Sequence, residues 1–290
     1  MVAYYLVKAL SFILCRLPHG ISMALGRGVA KVLWPFVPKK RKLLAKRQIM
    51  ECLQVDEKEA ERIAKESTLR FGPMLFEVLR FPVIKKDMDS YVVLTGAVEE
   101  LMAQAASGKG CVFATSHSGN WELEGGALAH HGIPLVAVAK KQTDQGMDQF
   151  INEYRALMGM HVTYSKSVRE MYDMLGQGWF IGLLSDQDPS RKDGMVMDFF
   201  GKPTNCVVGA ATMARFKDVP IFMVQIHMEE DGHHTLHISQ PLRVEKTRDK
   251  KEDIRRTTQE LNHMLEGHIR RYPEDWFWLH DRWKSMREEY

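Results

Sequence analysis

The sequence predicts an α/β fold, a mostly parallel sheet flanked by helices, preceded by N-terminal membrane-associated helices. Three observations predict it. From about residue 90 onward, short apolar runs alternate with amphipathic stretches, the pattern of strands joined by crossover helices. Before residue 38, two apolar segments run directly into a basic cluster. The composition is that of a globular chain: 290 residues, 45% hydrophobic and 27% charged, are enough to bury a substantial core.

The elements follow in order. "MVAYYLVKALSFILC" is almost wholly apolar, and after "RLPHG" comes "ISMALGRGVAKVLWPFVP". Each falls short of the ~20 clean apolar residues of a spanning helix. Neither has the basic start and small-residue cleavage site of a signal peptide. The cluster "KKRKLLAKRQ" then places Lys39, Lys40, Arg41, Lys42, Lys46 and Arg47 together, which an anionic cytoplasmic leaflet attracts. Two core helices followed by a solvated charged helix are the alternative. Residues 1–55 are thus expected to anchor the chain and 56–290 to form the α/β domain. Residues 56–80 read as two helices meeting at Gly72-Pro73.

The alternation begins with the strand "YVVLTG" and the helix "AVEELMAQAAS". "CVFATS" and "GNWELEGGALAHH" repeat it, then "PLVAVA" and "DQFINEYRALMG", then "HVTYS" and "VREMYDMLGQG". "WFIGLLSD" is a further strand, a helix is expected around 205–217, and "PIFMVQIHM" follows as a strand. "EEDGHHTL" reads as a hairpin turn into a late strand, and 251–271 as a polar-faced helix.

Several classes are excluded or disfavoured. A net charge of +3 is too small to indicate nucleic acid, and the four cysteines are scattered with no C-x-x-C pair, so neither a zinc ribbon nor a disulfide scaffold is expected. His233, His234 and His237 follow a turn and lack a carboxylate or cysteine at ligand spacing. No metal or other cofactor is expected.

The chemistry is expected at "CVFATSHSGNWELEGG", residues 111–126. His117 falls where a parallel strand ends, the edge at which open α/β sheets bind ligands. Ser118 or Asn120 is suited to capping the next helix, and Glu122 lies in its first turn. A spacing of five cannot align two residues on one helix face, so His117 and Glu122 meet only if the histidine is on the loop. A carboxylate-held histidine is a general base with a fixed tautomer. The chain has no G-x-S-x-G elbow, so the nucleophile is expected to be a substrate alcohol. A capped helix beside a surface histidine is the bland alternative.

The stretch resembles the H-x-x-x-x-D/E motif of glycerolipid-type acyltransferases, and "SHSGNWE" is most similar to the branch containing the lipid A biosynthesis lauroyl and myristoyl acyltransferases and related mannoside acyltransferases. Three further motifs keep that family's order: "RALMG" at 155–159, "SDQDPSRKDGMVMDFFGKP" at 185–203 and "PEDWFWLHDRWK" at 273–284. Asp198 stands where the family often has proline, and Gln48 where an Asn-Leu pair is common.

The resemblance implies a glycerolipid-acyltransferase-like fold with His117, Glu122 and Arg155 as catalytic residues, Arg155 stabilising an oxyanion or a substrate phosphate. Asn120, Asp186 and Asp188 are expected at the substrate, the aspartates orienting the surroundings of His117 or binding acceptor. Phe199, Phe200 and Gly201 are expected to line an acyl pocket. The implied reaction moves an acyl chain from an acyl carrier protein or coenzyme A thioester to a lipid hydroxyl, at the cytoplasmic face of the inner membrane. A lipid A precursor is the favoured acceptor, with a lysophospholipid or glycosylated phospholipid as the alternative. A non-catalytic membrane-peripheral binding protein and a lipid hydrolase remain open as other classes.

Overall fold

The computed structural model describes residues 1–190 and 192–287; Arg191, inside the third motif, and residues 288–290 lie outside them. Three helices open the chain, α1 (Val2–Leu14), α2 (His19–Leu33) and α3 (Lys39–Leu53), followed by α4 (Glu57–Leu69), α5 (Phe71–Leu79) and the single turn α6 (Phe81–Ile84). Strand–helix alternation then runs through β1 (Val92–Gly96), α7 (Val98–Ala106), β2 (Cys111–Thr115), α8 (Trp121–His130), β3 (Leu135–Ala139), α9 (Gln145–Leu157), β4 (His161–Tyr164), α10 (Val168–Gly176) and β5 (Phe180–Leu184). A hairpin, β6 (Gly194–Phe199) and β7 (Lys202–Val207), precedes α11 (Gly209–Lys217), β8 (Ile221–Met228), β9 (His234–Ile238), the long α12 (Lys250–Arg271) and the short α13 (Lys284–Arg287).

The seven-stranded sheet has the order β1-β9-β8-β2-β5-β3-β4. Every neighbouring pair is parallel except β8 with β9, which the turn at Gly232 (φ 90°) reverses. This is the mostly parallel, helix-flanked sheet expected. Its central strands are apolar because helices cover both faces: Val112, Phe113, Phe180, Ile181 and Val136 are all buried. Helix starts follow local capping chemistry. Asp56, Asn120, Asp144 and Asp249 each accept a backbone N–H of the first turn.

One element differs from expectation. Residues 205–207, read as the start of a helix, belong to β7, and the helix begins only at Gly209. The cause is the turn. Phe199 pairs with Lys202 across a two-residue loop, Phe200 and Gly201, with φ of 55° and 72°. Two left-handed residues in succession are what a right-twisted hairpin needs, and Asp198 Oδ1 accepts the Gly201 N–H at 3.0 Å.

The N-terminal helices pack on the α/β body. Tyr4 Oη donates to Glu153 of α9 at 2.8 Å, and Ser11 Oγ donates to the Leu79 carbonyl at 2.6 Å. α2 crosses α5 at a glycine contact: a Cβ on Gly26 would lie 2.7 Å from the Gly72 carbonyl oxygen. Their outer faces expose Tyr5, Leu6, Phe12, Val32, Leu33 and Phe36. Among the described residues, no helix is long and apolar enough to cross a membrane.

Candidate active site

β2 and β5 are adjacent and parallel, with Thr115 opposite Leu184. Two residues beyond each strand end stand His117 and Asp186, so sheet register places them side by side although 69 positions separate them. His117 Nδ1 meets Asp186 Oδ1 at 2.8 Å, and the His117 backbone N–H donates to Asp186 Oδ2 at 3.1 Å. The Trp276 indole N–H donates to the same Oδ2 at 2.9 Å. Asp186 is buried. Burial alone would raise its pKa, but the His117 hydrogen bond and charge, with the indole, hold the carboxyl below its ordinary value. An ionised Asp186 takes the Nδ1–H, which leaves the Nε2 lone pair as the base.

The closing segment builds the other side of the site. Phe277 N–H donates to the His117 carbonyl at 3.0 Å, and Gly119 N–H donates to the Asp275 carbonyl at 3.1 Å. Trp121 lies edge-on to the imidazole with ring centres 5.1 Å apart. Gln48 fastens this segment to α3. Its amide donates to the Trp278 and His280 carbonyls, both at 2.9 Å, and accepts the Arg282 N–H at 3.0 Å. The departure from the family's usual residues at position 48 thus forms a buried clamp.

The expected partnership of His117 with Glu122 is corrected. Glu122, at the second position of α8, faces Arg155 of α9, whose Nε and Nη2 donate to its two carboxylate oxygens at 2.8 and 2.5 Å. The imidazole Nδ1 is already engaged by Asp186. The same contact engages the Arg155 fork that was expected to hold an oxyanion or phosphate. Glu122 and Arg155 instead line a cavity that also includes Trp121, the ring packed against His117.

Other expected substrate residues have structural duties. Asn120 is buried; it caps α8 through the Leu123 N–H and donates to Glu77 at 2.8 Å. Asp188 accepts the Ser285 N–H and hydroxyl, both at 2.7 Å, and its own N–H donates to His280 Nε2. Phe199 and Phe200 are buried with Trp276, Trp278 and Trp283, and Gly201 supplies the hairpin turn. Both rings are thus packed into a core, and Gly201 at the turn is exposed. His234 is buried against Glu77 at 2.9 Å, while His233 is exposed. Among the described residues, the group able to surround a cation is Asp89 with His130 and His131, ligand atoms within 4.8 Å, at the opposite end of α8 from His117.

The site therefore holds a histidine at the carboxyl end of a parallel strand, oriented by a buried carboxylate in the arrangement a general base requires. The chain matches the family model described as bacterial lipid A biosynthesis acyltransferase over residues 1–285, and it belongs to that family. It is similar to the phosphatidylinositol mannoside acyltransferase of Mycolicibacterium smegmatis, 28% identical over 64% of this chain and 60% of that protein. The protein of the same name from Mycobacterium tuberculosis is 27% identical, with 76% of this chain and 69% of that one covered. The chain thus spans 60% of the length of the first of these relatives. Among solved structures, the 1-acyl-sn-glycerophosphate acyltransferase PlsC of Thermotoga maritima aligns with 13% identity and a TM-score of 0.38, over 87% of this chain and 98% of that one.

Proposed function

We propose that the protein is an O-acyltransferase that moves a fatty acyl chain from an acyl carrier protein or coenzyme A thioester to a hydroxyl of a membrane lipid. The observation that carries this reading is the His117–Asp186 pair, with Nδ1 held and Nε2 available. Nε2 takes the proton of the acceptor hydroxyl as its oxygen attacks the thioester carbonyl. The new C–O bond forms, the tetrahedral intermediate expels sulfur, and imidazolium returns the proton to the departing thiolate. Asp186 stabilises the imidazolium between these steps. The thioester is already activated, so the balance closes without a further reactant. In this reading the acyl chain occupies the mostly apolar cavity lined by Glu122 and Arg155.

The acceptor is a glycolipid in this reading. Membership of the family favours a lipid A precursor. The relatives named for phosphatidylinositol mannoside favour a second acceptor, a glycosylated phospholipid. Lipid mass spectrometry on cells with and without the protein separates the two: loss of one ester-linked chain is expected on one glycolipid class. Unchanged lipids, or free fatty acid as the sole product of purified protein, would overturn the reading.

The same proposal sets the reaction at the cytoplasmic face of the inner membrane. The apolar outer face of α1 and α2 lies next in sequence to exposed Lys39, Lys40 and Arg41, a combination suited to helices lying in the interface of an anionic leaflet. Purified protein should sediment with anionic vesicles and resist high salt, which screens surface charge without expelling apolar side chains.

A further inference from the structure

The cavity that Trp121 shares with its neighbours lies between α8 and the sheet and is mostly apolar, with Phe113, Leu128, Leu135, Met160 and Val224 among its walls. One wall departs from this. Glu124, two positions beyond Glu122, lines the same space and is 3% exposed. Its Oε2 makes no hydrogen bond of good geometry, and neither does the Thr115 hydroxyl, which lies beside the carboxyl and also faces the cavity. No cation among the described residues compensates it: Arg155 is engaged by Glu122.

An unpaired carboxylate in such a place is costly, so the group holds its proton instead. Burial pushes Glu124 up to about 8, tempered by the neighbouring Thr115 and the Ile226 backbone, neither of which satisfies Oε2. At neutral pH it is a carboxylic acid with an O–H to give and a carbonyl oxygen to receive. A purely hydrocarbon ligand uses neither and leaves both unmatched.

We propose that Glu124, with Thr115, recognises an oxygen substituent on the acyl chain, so that the cavity selects hydroxyacyl over unsubstituted donors. This rests on the acyltransferase reading and on the chain occupying this cavity. Thr115 lies only two residues before His117 in the sequence, so the hydroxyl is on the half of the chain nearer the carbonyl. Glu124 is a specificity-determining residue here and takes no part in the proton transfer.

Trp121 lines the cavity, so the full chain in detergent can be titrated by tryptophan fluorescence with 3-hydroxytetradecanoyl-coenzyme A and tetradecanoyl-coenzyme A. Wild type should bind the hydroxylated thioester about tenfold more tightly, the worth of one buried hydrogen bond. Glu124→Leu should reverse the order by weakening the hydroxylated ligand and strengthening the plain one. Glu124→Gln, which retains a donor and an acceptor, should keep part of the preference and covers the case in which the leucine variant does not fold. Equal affinities in wild type, with Glu124→Leu or Glu124→Gln lowering neither, would overturn the proposal while leaving an acyl-binding protein. Failure of wild type to bind either thioester would overturn both this proposal and the acyl-cavity reading beneath it.

Discussion

The loops that end β2 and β5 and the hairpin of β6 with β7 make an instructive comparison, because both carry motif residues expected to handle substrate and they differ in how far those residues are buried. At the strand ends, His117 keeps about a fifth of its side chain exposed beside a buried Asp186. At the hairpin, Phe199 is fully buried and Phe200 nearly so, against three tryptophans. The difference teaches that a recurrent motif marks two kinds of demand. In the proposed reaction the strand ends present a reactive atom, whereas the hairpin packs on the closing segment whose Trp276 donates to Asp186. Removing a group from the first region should abolish turnover in a folded protein; removing one from the second should unfold the support.

The largest expected effect tests the first half of that contrast. His117→Ala should lose on the order of 10²–10⁴ in turnover, the worth of a positioned general base. Asp186→Asn should be severely impaired too, and the double mutant little worse than His117→Ala, since the two act as a unit. Glu122→Gln combined with His117→Ala should instead multiply the separate losses. Steady-state kinetics on all five proteins decides between the two carboxylates, and a non-additive Glu122 would restore it as the histidine's partner.

Next comes the support. Phe199→Ala should cost about 3–5 kcal/mol of stability, as truncation of a fully buried phenylalanine usually does, measured by denaturant unfolding. Turnover per folded molecule should be kept. If turnover fell while stability held, the hairpin would belong to the substrate site after all.

Glu124 sharpens the comparison from inside the cavity. Its folded pKa of about 8 lies above the ordinary value of 4.5, so the folded state holds a proton that the unfolded chain releases. Wild-type stability should therefore fall as pH rises from about 4.5 to 8 and level off above that. Glu124→Gln removes this slope. Thermal melts should show the variant ahead of wild type at pH 8, by up to about 4 kcal/mol, and the gap should close toward pH 5. A constant gap across pH would mean that the carboxyl is ionised in the fold.

The smallest effect is at Gly201. With φ at 72°, alanine there should cost about 1–2 kcal/mol, read as a lower melting temperature, with acyl-thioester binding unaltered. Weakened binding at unchanged stability would return this turn to the pocket.

Much of the fold is legible in the residue pattern. Apolar periodicity places β2 and its following helix, and His117 at the strand's end follows from those two elements alone. The hairpin escapes such a reading because "MVMDFFGKPTNC" carries its turn on Phe200, a residue that seldom takes positive φ. The packing role of the two phenylalanines is hidden for a related reason: an aromatic pair has the same composition in a pocket wall as in a core.

By itself the sequence determined the alternation of strands and helices, the apolar N-terminal face with its adjoining basic cluster, and the histidine at the head of α8. These are local quantities, set by residue periodicity and composition within one element. The tertiary structure alone decided which carboxylate holds that histidine. Glu122 is near in sequence, but its place in the first turn of α8 points it to Arg155, while the parallel register of β2 and β5 brings Asp186 from 69 residues away. The same packing laid Glu124 against a mostly apolar cavity with its Oε2 unpartnered. Neither outcome is encoded in spacing along the chain, because strand order and helix packing are decided by the burial of whole faces rather than by neighbouring residues.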